Sequence, residues 1–396
     1  MNAPHDRQAF VPIEGLRGFL ALWVALGHGL QSAGHLLLPG PLNLLLRGEE
    51  AVNVFVIISG FVITHLLQVG REAYGPYLLR RFCRLYPLFV VACVAGYLAM
   101  ALWPALVLAV PWRDQPGWPG YAGGVLEIVS QSRENLWPHA LLHATMLHGL
   151  VPMEWLPVAS KTLLPATWSI SLEWQFYLVA PLVLLSLRRP LGTLCCVLAV
   201  CGLTWLYRHG ALGSYAGASA LFMSAGYFAV GMASRLGFAG LQRLVQQGVG
   251  AGPLALIAVL LLYTLVPGHL ALVLWLPFLC LLAAPQDNRA FRAAHGLLTA
   301  PAVLRLGLLS YSVYLLHRPV QVLLGWLLLQ WQAQPSQAAM LAVQVLAIGL
   351  TVAVSALTWR WIEVPGQALG RRLARCWPPA AAGAAAAAPD WRRHPG

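Results

Sequence analysis

The feature that most constrains this chain is a series of apolar segments, each about twenty residues long, that recurs from end to end. A helix of that length crosses a bilayer core of about 30 Å. Only 10% of the 396 residues are charged, whereas a soluble globular protein carries roughly a quarter. We therefore expect an all-α integral membrane protein with about ten transmembrane helices. Their predicted limits are 15–37, 51–69, 86–110, 167–187, 190–207, 215–234, 251–267, 269–285, 305–330 and 337–358.

The basic residues indicate how these helices are oriented. With the N-terminus inside, 19 of the 25 basic residues fall in cytoplasmic segments or at cytoplasmic helix ends. This bias is typical of proteins that cross the membrane several times. We therefore expect both termini in the cytoplasm. The net charge of +12 is attributed to loops at the inner surface of the lipid bilayer, and no nucleic acid is expected as a partner.

Two stretches differ from this pattern. The segment 136–151 is apolar but short and holds three histidines, so we expect a re-entrant or interfacial piece rather than a span. The tail 373–396 is of low complexity and is expected to be disordered, which leaves a membrane domain over 13–372. His139 and His143 are four residues apart, but no third ligand or cysteine pair accompanies them. No metal site is expected.

The first apolar segment carries two residues that are costly in hydrocarbon, Arg17 and His28. Their separation of eleven positions comes within about 20° of three full helical turns, so both side chains share one face, roughly 16 Å apart. One interpretation is a snorkelling arginine and a histidine that packs between helices. The other is a polar track that leads from the cytoplasm to a group able to accept a proton near neutral pH.

A second group of cations precedes the third segment. Arg81 and Arg84 are three residues apart, so they face the same way on a helix at its cytoplasmic entrance. They are either ordinary cytoplasmic anchors or a clamp for phosphate, whose oxygens suit the fork of a guanidinium. The sequence alone supports both interpretations.

Two later segments keep polar groups in apolar surroundings. Glu173 lies about two turns into the fourth segment and needs a partner or a water-filled cavity, and His317 lies in the middle of the ninth. A purely structural role is open for both. Nearby polar and aromatic candidates are Trp168, Ser169, Ser171 and Tyr311. In the second segment Ser59 precedes a glycine, a pattern typical of closely packed membrane helices.

Six short motifs follow one another along the chain. They are RGFLALWVALGH, FVIISGFVIT, RRFCRLYP, TWSISLEWQFYL, SYSVYLLHRP and WIEVPGQAL. Together, from about Ile13 to Arg372, they resemble the acyltransferase family 3 membrane proteins. The resemblance implies ten membrane helices in a bacterial inner membrane and an acyl-CoA donor, usually acetyl-CoA, with no permanently bound cofactor. It also implies an acceptor hydroxyl on a carbohydrate, such as a polysaccharide or another glycosylated compound.

The same resemblance implies roles for particular residues. The motif residues of the family fall on Arg17, His28, Arg81, Arg84, Ser169, Ser171 and Glu173. We expect the arginines to hold the CoA phosphates and His28 to act as general base, while Glu173 orients the histidine or stabilises its charge. His317 and Tyr311 would line the site or hold the thioester oxygen. The remaining lining candidates are Ser59, Trp168, Ser169 and Ser171. Direct transfer and an acyl-histidine intermediate both stay open.

Two other functions stay open for the sequence. A polytopic transporter of a small polar substrate would use the same intramembrane groups as a path, and such folds often repeat one half in the other. The ionisable residues here concentrate in the first four spans and the ninth, which favours an enzyme. An inactive relative that serves as a scaffold would have no need to retain the arginines, the histidine and the glutamate together.

Overall fold

The computed structural model describes residues 10–70, 72–247, 250–265 and 269–377, so most of the predicted tail lies outside the described residues. Within these ranges the chain forms α-helices and short helical turns and no β-strand, which confirms the all-α fold. The helices are α1 (Val11–Ser32), α2 (Gly48–Val69), α3 (Tyr74–Ala99), α4 (Trp103–Leu108), α5 (Trp118–Glu134), α6 (Leu136–Ala144), α7 (Trp168–Ser186), α8 (Pro190–Arg208), α9 (Leu221–Gln246), α10 (Ala251–Leu265), α11 (Leu270–Ala283), α12 (Arg289–Leu298), α13 (Pro301–Trp331), α14 (Gln337–Thr358) and α15 (Val364–Arg375).

Several of these helices fit the thickness of a membrane. In the described part of the chain, six are long and apolar enough to cross one: α2, α3, α7, α8, α13, and α14 together with its continuation into α15. The other predicted spans also contain helices, namely α1, α9, α10 and the shorter apolar α11. The structure therefore shows a membrane protein with several spanning helices. The number ten and the side of the termini stay predictions.

The third predicted span is the one whose limits the structure changes most. Instead of one helix over 86–110, α3 begins at Tyr74 and stops before the separate short helix α4. Pro104 at the start of α4 explains the break, because proline lacks an N–H and clashes with the preceding turn of a continuous helix. The early start of α3 places Arg81 and Arg84 within the helix rather than at its entrance.

The segment 136–151 forms no helix that could cross a bilayer on its own. The nine residues of α6 are followed by a 3₁₀ turn at His148–Leu150. The rings of His143 and His148 are buried and stack with centroids 3.8 Å apart. His148 Nε2 lies 3.1 Å from the carbonyl oxygen of Thr167. These contacts fasten the segment to the beginning of α7.

Helix α1 packs against α13 through glycines. A side-chain carbon on Gly307 would lie 2.0 Å from the carbonyl oxygen of Glu14, and one on Gly18 would lie 2.9 Å from the amide nitrogen of Gly307. Only hydrogen fits in these places, so the two backbones come into direct contact. Small residues allow this close approach between membrane helices. The contact fixes the face of α1 that α13 covers.

A second glycine contact joins α2 to α9. A side-chain carbon on Gly60 would lie 2.4 Å from the carbonyl oxygen of Phe228, and one on Gly231 would lie 2.0 Å from that of Ile57. The close packing predicted from the pair Ser59–Gly60 is thus present at the glycine. Ser59 points elsewhere, into the cavity described below.

The α2–α9 contact yields a prediction about stability. We expect Gly231→Ala to lower the midpoint of thermal unfolding in detergent, because the added carbon meets Ile57 and overpacking costs about 1–3 kcal/mol. Gly237→Ala on the same helix is the matched control, since nothing lies within 4 Å of the added carbon. Equal midpoints for the two variants would contradict the packing described for these helices.

Candidate functional site

A single cavity gathers most of the residues singled out in the sequence. It lies among α1, α2, α3, α7, α9 and α13. Its predicted members are Arg17, Ser59, Arg81, Arg84, Ser169, Glu173 and Tyr311. The other lining residues are Val52, Phe55, Val56, Ile58, Val62, Ile63, Ile170, Tyr177, Phe228, Ser310 and Tyr314. His28, His317, Trp168 and Ser171 do not line it.

Three arginines form one end of the cavity, which we call the arginine end (Arg17, Arg81 and Arg84). Arg17 pairs with Glu14 on its own helix at 3.4 Å. In the described chain, neither Arg81 nor Arg84 has a carboxylate within 4.0 Å, and neither side chain makes a hydrogen bond. The guanidinium of Arg81 lies 5.9 Å from the ring centroid of Tyr177. Unpaired forks of this kind are suited to bind phosphate or carboxylate oxygens.

Glu173 lies in the same cavity but is held by other groups than expected. Its carboxylate accepts a hydrogen bond from Ser59 at 3.3 Å and a short one from the hydroxyl of Tyr177. The ring of His28 instead contacts Gln31. Glu173 therefore joins α2 to α7 and interacts electrostatically with Arg84. In this structure it does not orient His28.

The opposite end of the cavity is aromatic, and we call it the tyrosine end (Phe55, Ser169 and Tyr314). Ser169 donates to the hydroxyl of Tyr314 at 2.8 Å, and that hydroxyl donates to the carbonyl oxygen of Ala166 at 3.1 Å. The rings of Phe55 and Tyr314 meet edge to face at 6.2 Å. On its other side, Tyr314 lies 6.1 Å from the ring of His317. Tyr314 thus separates the cavity from the histidines.

His28 and His317 form a stacked pair beyond Tyr314. Their ring centroids are 5.4 Å apart and the planes differ by 14°. His28 Nδ1 lies 3.0 Å from Oε1 of Gln31, and His317 Nδ1 lies 3.2 Å from the carbonyl oxygen of Val313. The partner of His317 is a carbonyl oxygen, so its neutral ring carries the proton on Nδ1 and keeps the lone pair on Nε2, and the neutral ring of His28 keeps a lone pair on one of its two nitrogens. The Nε2 of His317 is buried without a partner. Each ring can therefore accept a proton.

Arg318 adjoins this pair. The structure places it in the interior of α13, where it is buried. Its Nη1 donates to the carbonyl oxygen of His28 at 3.3 Å and to Ser32 at 2.9 Å, and its Nη2 donates to Tyr121. The guanidinium also lies 4.6 Å from the ring centroid of Trp103. Arg318 therefore joins the end of α1 to helices α4 and α5.

Two of the expected lining residues face away from the cavity, and a third is already engaged. Ser171 is two positions from Ser169, about 200° around the helix, and accepts from the amide nitrogen of Gly149 at 3.0 Å instead. Trp168 packs at the edge of the hydrophobic core. Tyr311 lines the cavity, but its hydroxyl donates to the carbonyl oxygen of Leu85 at 2.8 Å. That proton is not available to a thioester oxygen.

Four residues near the site were not among the sequence candidates. They are Tyr177, Tyr314, Arg318 and Glu363. Tyr177 lies four positions after Glu173, a spacing that places both on one helix face and that could have revealed it. Tyr314 belongs to the motif around His317, three positions before it. For the remaining two, nothing in the sequence indicates that the side chain turns inward.

Comparison with known proteins agrees with this membrane architecture. One similar protein is "Protein 2 in picA locus" of Rhizobium radiobacter, which is 28% identical over 184 residues. The aligned region covers 46% of this chain and 76% of that relative. No solved structure matches the chain. The family model described as an acyltransferase domain (Acyl_transf_3) matches residues 11–360, which include both histidines and all three arginines of the site. The chain therefore belongs to the acyltransferase 3 family.

Proposed function

We propose that this protein is a membrane-bound O-acyltransferase. It moves an acyl group, most simply acetyl, from cytoplasmic acyl-CoA to a sugar hydroxyl of an envelope or exported polysaccharide or glycoconjugate. The observation that supports this best is the shape and charge of one cavity. It begins at three arginines, of which Arg81 and Arg84 have no carboxylate partner, and ends at a tyrosine that contacts one member of the histidine pair. Such a cavity suits a long donor with phosphates at one end and a reactive thioester at the other.

The dimensions of the cavity fit the donor. The lining residues on α2 extend from Val52 to Ile63, a rise of roughly 16 Å along the helix. Arg81 and Arg84 lie in the same lining and offer donors for phosphate oxygens. The pantetheine arm is narrow and extended, so its thioester would lie toward Tyr314. The polar groups of Ser59 and Ser169 are placed along the way.

The histidine pair supplies the base for the transfer. His28 Nε2 takes the proton of the acceptor hydroxyl as its oxygen attacks the thioester carbonyl. The carbon–sulfur bond then breaks, and the protonated imidazole returns the proton to the CoA thiolate, so a free thiol and an ester are formed. General base catalysis of this kind contributes about 10²–10⁴-fold. Because Tyr314 lies between the cavity and His317, its side chain must move before the thioester meets the base.

The orientation in the membrane belongs to the same proposal. Ten spans with both termini in the cytoplasm would open the arginine end to cytoplasmic acyl-CoA, and the acceptor would then approach from the other side. The distribution of basic residues supports this topology. Residues 13–372 would form the acyltransferase domain. A bacterial inner membrane is proposed because the similar protein comes from Rhizobium radiobacter.

The first prediction from this proposal concerns turnover. We expect His28→Ala to lower the release of free thiol from acetyl-CoA by about 10²-fold or more in purified protein, because the variant lacks the base. His209→Ala is the control, since that histidine is exposed at the end of α8 and contacts the ring and the carbonyl oxygen of Trp205 on its own helix, away from the cavity. If His28→Ala and the wild type turned over acetyl-CoA equally, His28 would have no part in the reaction.

The second prediction concerns donor affinity. Arg84→Gln should weaken CoA binding by about ten- to a hundredfold, because a charge-assisted hydrogen bond contributes about 1.5–3 kcal/mol. The measurement is a CoA titration of purified protein in detergent at fixed salt. Arg188→Gln is the control for a lost positive charge, since Arg188 is exposed after the last turn of α7. A dissociation constant unchanged by Arg84→Gln would exclude the arginine end as the phosphate site.

A further inference from the structure

A buried carboxylate near the arginine end belongs to none of the roles above. Helix α14 passes through a π-helical turn at Trp359–Glu363 before it continues as α15. A π-turn inserts an extra residue and is often found at functional sites. Glu363, the last residue of this turn, is only 5% exposed. Its side chain turns into the helix bundle, where it meets Ser312 of α13.

Glu363 is held by hydroxyl groups. Ser312 on α13 donates a short hydrogen bond to its carboxylate. Ser312 in turn accepts a hydrogen bond of 3.0 Å from Thr358, one turn before Glu363. The hydroxyl of Thr358 also lies 3.3 Å and 3.2 Å from the carbonyl oxygens of Val354 and Ser355, so only the proton of Ser312 is committed to the carboxylate. The hydrogen bond from Ser312 favours a negative charge at Glu363, because a hydrogen bond to a charged acceptor is stronger than one to a neutral acceptor, while the burial of the group opposes that charge.

The charge of Glu363 reaches the arginine end of the cavity. One turn after Glu363, a side-chain carbon on Gly366 would lie 2.7 Å from the carbonyl oxygen of Cys83, the residue before Arg84, so α15 packs directly against α3 here. At this position the carboxylate of Glu363 attracts Arg84 and Arg17. Neither arginine is within 4.0 Å of its carboxylate, so the groups attract each other without forming an ion pair. Arg84 also interacts with Glu173 and Glu14. The arginine end thus offers free hydrogen-bond donors, and nearby carboxylates weaken its positive electrostatic field.

The weaker positive field has a consequence for how tightly CoA is bound. Acyl-CoA and the product CoA carry the same phosphates, so any gain in phosphate affinity also slows the departure of CoA. We infer that Glu363 is a built-in counter-charge that limits how tightly the arginine end holds CoA and thereby permits its release. This inference rests on the proposed function, because it takes CoA to be the ligand of the arginine end. Glu363 acts through Arg84 and Arg17 and is a positioning residue, not a catalytic one.

The direction in which Glu363→Gln changes CoA affinity distinguishes a counter-charge from a purely structural residue. Glu363→Gln removes the charge and keeps both the shape and an oxygen that accepts from Ser312. The counter-charge account predicts tighter CoA binding, by about three- to tenfold, because one nearby repulsive charge is lost. If Glu363 only holds α14 against α13, Glu363→Gln is expected to bind CoA equally well or more weakly. Tighter CoA binding therefore supports the counter-charge role, and equal or weaker binding supports the structural role.

The experiment is a CoA titration of purified wild type, Glu363→Gln, Glu363→Asp and Glu50→Gln in one detergent. Glu363→Asp keeps the charge and should bind like the wild type. Glu50 is the matched control, a buried carboxylate near the start of α2 that accepts from Arg47 and from the amide of Ala271. Because it does not line the cavity, Glu50→Gln should leave CoA affinity unchanged.

The outcomes separate the two proposals. If the wild type itself does not bind CoA, the proposed donor is wrong and this inference falls with it. If the wild type binds CoA and Glu363→Gln binds equally or more weakly, only the counter-charge is overturned. Should Glu363→Gln not fold, Ser312→Ala tests the same charge. Without the hydroxyl of Ser312, the carboxylate of Glu363 pairs with Arg84 or Arg17, so the counter-charge account predicts weaker CoA binding by this variant. Unchanged CoA affinity in Ser312→Ala overturns the inference.

Discussion

The contact between α1 and α13 is the interaction on which the site depends. Near one end the two backbones touch at Gly18 and Gly307, where no side-chain carbon would fit. Further along, Arg318 donates to the carbonyl oxygen of His28, and Gln321 donates to that of Ala25 at 2.7 Å. The helices are therefore fixed at both ends of their contact. The stacking of His28 on a histidine of α13 follows from this register.

The same contact separates two kinds of polar environment. On one side, the cavity keeps Arg81 and Arg84 without a carboxylate within 4.0 Å, which is costly inside a membrane protein unless a ligand or water satisfies them. On the other side, the buried cation of Arg318 is satisfied by hydroxyls, a carbonyl oxygen and an aromatic face. The arginine end can therefore bind an anion, whereas the guanidinium of Arg318 already has its hydrogen-bond partners. This difference supports a ligand role for the arginine end and a positioning role for Arg318.

Much of the fold and part of the site followed from the sequence. The apolar runs predicted the helices, because length and hydrophobicity are local properties. Arg17 and Glu173 stood out because charges in hydrocarbon are costly. Arg81 and Arg84 stood out because they face the same way at a helix entrance, and the structure brings all four residues to one cavity. The position of Ser171 could have been deduced from helical periodicity. The inward turn of Glu363 could not, because it depends on a π-turn and on a hydroxyl from another helix.

The most direct test of the central claim is a cryo-EM structure of the purified protein with CoA bound in a lipid nanodisc. The account predicts that the phosphates lie within hydrogen-bond distance of Arg17, Arg81 and Arg84, and that the thiol end lies toward Tyr314. CoA bound on another surface, while this cavity stays empty, would contradict the assignment of the cavity as the donor site.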